Sequence, residues 1–415
     1  MTLSRSDGQS ARPLAPSPIQ RPAELESHLA EPRPAPRFYK PELDVLRFFA
    51  FLFVFLHHTV PNEAADYATK LRPDIAEWVA SVGRAGALGV DLFFALSSYL
   101  ITELLLREAE LSGTLDVKAF YIRRILRIWP LYFFFLTLSA AVVPRIIPGD
   151  QLPVAYLLMF VFLLGNWMCA FQGYPSSTAA PLWSVSMEEQ FYLGWPLLLR
   201  VTGARKLAKL CVALLIVASA YRLALVALRV AHPATWCMTF SRLDPIAAGA
   251  LVAVWLRRRP CHIGLAHRAP LVIAGFLCWL LVARYLPIDN PPTVARALVG
   301  YPAITLGAVL MLLAFTAGWK SRLPRALRLP PLIYLGRISY GLYVYHLLAI
   351  HLTPSLFKRS IQHHLLPLQF VADHLWSLRF VAGLALTIVL ASLSFHFLEQ
   401  PFLRLKARFT HVLSR

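Results

Sequence analysis

Apolar runs of roughly 17–22 residues, each long enough to cross a bilayer, recur from residue 43 almost to the C-terminus. No other feature limits the fold as strongly. Inside hydrocarbon every backbone N–H and C=O must find its partner within the protein, and a single apolar run of this length does so only as a helix. The composition agrees: the 415 residues are 57% hydrophobic and only 15% charged, too little charge to cover a soluble protein of that size. We therefore expect an all-α, polytopic membrane helix bundle embedded in the lipid bilayer.

The formal net charge of +19 raises the alternative of a nucleic-acid partner. Much of the basic excess sits in short links between apolar runs, where it carries topology, and no basic segment alternates with stacking aromatics outside the spans. Nucleic acid is thus not an expected partner. The five cysteines (Cys169, Cys211, Cys237, Cys261, Cys278) form no CxxC pair and read as core thiols. His363, His364 and His374 share one loop with no carboxylate or cysteine at ligand spacing, so they read as solvated residues and no metal is expected.

Eleven apolar segments can be drawn, near 43–60, 86–106, 128–147, 152–171, 181–199, 207–230, 240–256, 269–287, 297–318, 332–353 and 379–398. Basic clusters precede the first, lie between the second and third, follow the fifth, seventh and ninth, and end the chain. If all are cytoplasmic, both termini are inside and the number of crossings is even. The expectation is about ten transmembrane helices, with one partial or re-entrant segment between 128 and 199. Residues 1–38, rich in Pro, Ser, Ala and Arg and without a signal-like apolar stretch, read as a disordered cytoplasmic tail. Residues 39–402 form the membrane domain and 403–415 a basic cytoplasmic tail.

The first run, "LDVLRFFAFLFVFLHH" (43–58), has ionisable groups at both ends. Arg47 and His58 are eleven residues apart, about three turns plus 20°, so they share one face about 16 Å apart along the axis. His57 falls roughly 80° off that stripe. Two readings stand: Arg47 snorkels to one interface with the histidines in the headgroup region, or these groups face an interior cavity. Asp44 reads as an interfacial partner for a nearby arginine.

Further polar residues interrupt the apolar runs. Asp91, Ser97 and Ser98 lie in "GVDLFFALSSYLIT", where the serines suit close helix packing. Arg124 and Arg127 in "RRILRIWPLY" share a helical face and suit a clamp on a polyanion, whereas Arg123 reads as an interfacial anchor. "LWSVSMEEQFY" places Glu188 and Glu189 inside a membrane run; they point about 100° apart, so one at most faces a given site. Arg242 and Asp244 suggest a structural ion pair. "GRISYGLYVYH" carries Tyr340, and its Tyr343 and His346 are helical neighbours.

Together with "LDPIAAGALVA" and "FLEQP", these motifs run in order from about residue 40 to 402, and the chain resembles acyltransferase family 3. Members are membrane enzymes that move acyl groups onto hydroxyls of carbohydrates and related molecules. The resemblance implies catalytic roles for Arg47 and His58, which match an Arg or Lys followed after ten residues by His. It implies roles for Arg124 and Arg127 as the family's Arg-x-x-Arg, and for Glu188 in its Trp-Ser-x-Ser-x-x-Glu. Asp44, Asp91, Tyr340 and His346 are additional site candidates. The usual Ser-Gly of the second helix is Ser97-Ser98 here, which alters the packing expected there.

The implied reaction needs a base for the acceptor hydroxyl and stabilisation of an oxyanion. His58 is the expected base or acyl carrier, with Glu188 as its orienter. No bound cofactor is expected; acyl-CoA, acetyl-CoA by default, is the donor and a polysaccharide, lipid-linked sugar or glycoside the acceptor, at the plasma or inner membrane. Some relatives carry an extra periplasmic hydrolase-like domain; here acceptor handling is expected from the membrane part or a partner. A transporter or flippase for a sugar-linked lipid or an anionic substrate would line a path with the same charges. A non-catalytic assembly subunit would show neither activity.

Overall fold

The computed structural model describes residues 39–261, 263–289, 291–316, 329–362 and 375–409. Helix α1 (Pro41–Thr59) starts at a proline in its first turn, where the missing N–H costs nothing, and ends where Val60 turns extended before Pro61. Helices α2 (Pro73–Gly86) and α3 (Gly89–Ser112) follow almost without interruption. Gly113 (φ 72°) closes α3 in the left-handed conformation a side chain would resist. Asp116 caps α4 (Val117–Ala141) by accepting the Ala119 N–H at 2.9 Å.

Beyond these come α5 (Val154–Val161), α6 (Gly165–Gln172), α7 (Leu182–Ala227), α8 (Leu243–Arg258), α9 (Leu265–Tyr285), α10 (Tyr301–Thr316) and α11 (Pro330–Arg337). The order ends with α12 (Ser339–Gln362), α13 (Leu375–Ser394) and α14 (Gln400–Lys406). No strand occurs among the described residues. The chain is an all-helical integral membrane protein.

Seven helices among the described residues are long and apolar enough to cross a membrane: Pro73–Ser112, Val117–Ala141, Leu182–Ala227, Thr239–Arg258, Ala266–Tyr285, Arg296–Thr316 and Trp376–Lys406. The eleven segments reduce to these for three physical reasons. The 152–171 segment is two eight-residue helices parted at Leu163 (φ 59°), and neither alone, at about 12 Å, reaches across. Segments 181–199 and 207–230 fall on the single 46-residue α7, which bends where Gly203 leaves helical geometry (φ 70°, ψ 159°). Finally, α1 with Glu42, Asp44 and Arg47, and α12 with its tyrosines and histidines, are too polar to face lipid. Both lie inside: Val45, Ala50, Phe51, Phe55, Leu342 and Ala349 are fully buried.

Helix α1 is the hub, packed against α2, α3, α10, α11, α12 and α13. Gly86 and Gly89 make that possible, since a Cβ on either would strike the carbonyl oxygen of Phe53 or Ala50. Ser98 is buried and its hydroxyl bonds Ala95 O at 3.1 Å where Gly249 of α8 presses on α3, so this serine does serve packing. The last helix runs to Lys406, past the expected boundary at 403, and Arg404 and Lys406 close it.

Candidate active site

Two cavities open along α1. The first, about 140 Å³, is lined at one end of the helix by Asp44 and Arg47 together with Ser97, Arg124, Arg127, Glu188, Tyr192 and Tyr340. The second, about 270 Å³, is lined at the other end by His57 and His58 with Tyr174, Trp183, His232, Trp236 and Asp289. Val90 and Tyr343 line both, so the two cavities adjoin at one valine and one tyrosine. The Tyr343 hydroxyl is held by Ser184 Oγ at 2.6 Å and reaches Pro181 O at 3.3 Å, which fixes the ring there.

The arginine end is a set of preformed charge pairs. Arg47 bonds Asp44 at 2.7 Å, one helical turn away, and the buried Asp44 also accepts the Tyr39 hydroxyl at 3.0 Å. Arg337 in turn donates to Tyr39 at 3.2 Å. Arg124 is packed between the rings of Phe120 and Tyr192, each 5.4 Å from its guanidinium carbon. Its Nε is buried without a hydrogen-bond partner. Glu188 interacts with Arg124 and Arg47 and lies within reach of Ser97 and Tyr192, while one of its carboxylate oxygens has no partner. Glu189 faces away and accepts the Trp129 indole N–H at 2.9 Å. Arg123, the expected anchor, pairs with Glu108 at 2.7 Å. At the mouth, burial pushes the Lys40 ammonium down to about 8.

The histidine end is built differently. His57 donates from Nδ1 to the Gly83 carbonyl at 3.1 Å, tying α1 to α2. His58 has no hydrogen-bond partner among the described residues; it is enclosed by protein yet its ring is exposed, because it faces the cavity. Its ring neighbour across the cavity wall is His346, with centroids 5.1 Å apart. His346 donates from Nδ1 to Tyr343 O at 2.5 Å, which leaves Nε2 as a buried lone pair without a partner. Trp183 and Trp236 stand with centroids 6.2 Å apart on the cavity wall.

This geometry changes several expectations. Glu188 lines the arginine cavity and not the one that His58 lines. The two serines divide, Ser97 to the cavity and Ser98 to packing. Arg242 does not pair with Asp244. Its partner is Asp91 at 2.6 Å, and Asp244 faces Arg222 at 3.2 Å and accepts Thr305 at 2.9 Å. Asp91 is therefore spent on a buried pair and does not line either cavity. Tyr340 lines the arginine cavity with its hydroxyl on Ile128 O at 3.1 Å. His363, His364 and His374 lie outside the described residues, among which no cluster could hold a metal.

With the two cavities in place, the comparisons decide the family. The model of the acyltransferase domain matches residues 40–396. The chain belongs to that acyltransferase family. It is 28% identical over 389 residues to the peptidoglycan O-acetyltransferase OatA of Listeria monocytogenes, covering 88% of this chain and 56% of that one. A putative peptidoglycan O-acetyltransferase of Bacillus subtilis, YrhL, is 29% identical over 384 residues, 88% of this chain and 55% of the relative. A putative O-acetyltransferase of Staphylococcus aureus is 25% identical over 381 residues, 88% and 57% respectively. The chain thus spans little more than half the length of these curated relatives. No solved structure matches it.

Within this acyltransferase domain, sequence reasoning missed the aromatic wall of the His58 cavity and the neighbours His232 and Asp289, whose Nε2 and Oδ1 lie 3.6 Å apart. The one local signal for Trp183 was its place beside Ser184 in the motif that contains Glu188. Nothing local marked Trp236, His232 or Asp289, which reach the cavity from two separate links, one after α7 and one after α9.

Proposed function

We propose that the chain is a membrane O-acyltransferase that moves an acetyl group from acetyl-CoA, received at the Arg47 end, to a carbohydrate hydroxyl at the His58 end. One observation carries this reading. Arg47 and His58 share a stripe of α1, yet open into two cavities that have Val90 and Tyr343 in common in their linings. The arginine end suits an anionic donor, with Arg124 and Arg127 binding it beside Arg47. The Trp183–Trp236 wall suits the apolar face of a sugar ring. Peptidoglycan, named in the relatives, is the first acceptor to try.

A ring nitrogen of His58 takes the proton of the acceptor hydroxyl as its oxygen attacks the thioester carbonyl carbon. The C–S bond then breaks and the departing CoA sulfur takes the proton back. In the carrier form the same nitrogen attacks first, CoA leaves as the thiol, and the hydroxyl then displaces the imidazole. Parallel double-reciprocal plots mark the carrier form; intersecting plots mark direct transfer. His346 sits where it can hold the His58 ring, and Glu188 acts on the donor side with Arg124.

The basic groups around the Arg47 end favour a cytoplasmic placement of that end, where acyl-CoA is available. Counting α1, α12 and the two arms of α7 on either side of Gly203 as separate crossings gives ten and keeps both termini on that side. The test is purified protein with labelled acetyl-CoA and peptidoglycan fragments or other glycans. Transfer, or slow thioester hydrolysis that disappears in His58→Ala, supports the enzyme. Movement of a lipid-linked sugar without acyl chemistry favours the transporter and sinks the proposal.

A further inference from the structure

Beside the arginine cavity, with Lys40 lining both, lies a wider groove of about 610 Å³ between α3, the Gly203 bend of α7 and the end of α8. Five cations line it, Lys40, Arg107, Arg205, Arg257 and Arg258, against two carboxylates, Glu103 and Glu110. The carboxylates are already engaged. Glu103 accepts Arg107 at 2.7 Å and Arg257 at 2.9 Å, and Glu110 is paired with Arg257. Arg205 and Arg258 have no carboxylate partner among the described residues; Arg258 donates only to the carbonyl of Arg205 at 3.1 Å and of Ala204 at 3.4 Å. The groove therefore holds two arginines paired with its two carboxylates and two further guanidinium groups without a carboxylate, and with Lys40 it carries a net positive charge.

Size separates the roles of the two spaces. Pockets that take a whole cofactor-sized ligand run to roughly 300–1,000 Å³, so the 140 Å³ cavity at Arg47 cannot hold a nucleotide as well as an acyl chain. The groove can. Guanidinium groups match phosphate oxygens in pairs, and a ligand with several phosphates is what two spare arginines beside two paired ones would bind.

We propose that this groove binds the phosphorylated adenosine part of the CoA donor, with the pantetheine arm passing Lys40 into the Arg47 cavity. The inference rests on the acyl-CoA reading above. Arg124 and Arg127 then meet the acyl-pantetheine end, and the phosphates belong to Arg205 and Arg258.

The test is equilibrium binding of CoA, dephospho-CoA and pantetheine to the full chain in phosphatidylcholine nanodiscs. CoA is expected to bind at least about tenfold more tightly than pantetheine, with dephospho-CoA between them. Arg205→Ala with Arg258→Ala should weaken CoA by about tenfold or more and change pantetheine by less than about twofold. Arg205→Lys with Arg258→Lys, which keeps the charge, should recover part of the loss. Equal binding of CoA and pantetheine by the natural chain overturns the assignment, as does an equal loss of both ligands in the alanine variant. So does unchanged CoA binding accompanied by loss of retained phosphatidylglycerol in mixed nanodiscs, which would give the groove to a lipid headgroup. A chain that discriminates CoA as stated but transfers no acyl group sustains the groove and removes the catalytic reading. Acetylpantetheine used as efficiently as acetyl-CoA does the reverse.

Discussion

The two ends of α1 solve opposite problems on one helix. At the Arg47 end the charges are engaged before any ligand arrives: Arg47 on Asp44, Asp44 on Tyr39, Tyr39 on Arg337, and Glu188 among Arg124, Ser97 and Tyr192. At the His58 end that histidine has no hydrogen-bond partner among the described residues, and its surroundings are aromatic rings and further histidines. A site that grips a donor in one fixed pose gains from preformed pairs, because little reorganises on binding. A base that must take a proton from an incoming hydroxyl gains from a free lone pair. The difference suggests that the arginine end governs donor affinity and the histidine end governs turnover.

Breaking the comparison at its strongest point should give the largest effect. His58→Ala is expected to lower acyl transfer about 10³-fold or more, at the upper part of what a lost acid–base group costs, while the protein still inserts. A loss under tenfold would remove His58 from the chemistry. The wall behind the histidine cavity offers a structural counterpart. Asp91→Ala leaves Arg242 charged and buried against Trp236, at 3.8 Å from its ring, and should cost about 3–5 kcal/mol, read as a large drop in melting temperature.

At the other end the effect should be smaller and of another kind. Arg124→Ala is expected to raise the KM for acetyl-CoA about 10- to 30-fold with kcat within about threefold, since one charge-assisted contact is lost. A fall in kcat at unchanged KM would merge the two ends into one site. His57→Ala should cut activity less than about tenfold, since His57 is engaged with Gly83. Equal losses at His57 and His58 would defeat the division of the pair. The smallest effect concerns Lys40. Its ammonium, lowered to about 8 by burial, is charged below that pH and neutral above it. Donor affinity should therefore fall a few-fold as pH rises through 8, and Lys40→Arg should flatten that profile.

Much of this was legible in the sequence because it depends on helical spacing alone. The 100° step put Arg47 and His58 on one stripe and set His57 aside, and the structure gives each of the stripe's residues a cavity. Spacing could not reveal partners distant in the chain. Arg242 was assigned to Asp244, two residues on, when Asp91, 151 residues away, is its partner. The reaction implied by the resemblance makes Glu188 the orienter of His58; which cavity each enters is set by how α7 packs against α1 and α3. His346 was marked as a neighbour of Tyr343, but its approach to His58 needs α12 laid beside α1. The span count fared similarly. Apolarity located the segments, while the bend at Gly203 and the interior placement of α1 and α12 are properties of the fold.

The central claim is that donor and acceptor meet α1 from opposite ends. Proteoliposomes offer the direct test, with labelled acetyl-CoA sealed inside and peptidoglycan fragments only outside. We expect label on the outer glycan, lost in His58→Ala, with no labelled acetyl-CoA leaking out. Transfer that occurs only when donor and acceptor share one side of the membrane would contradict it.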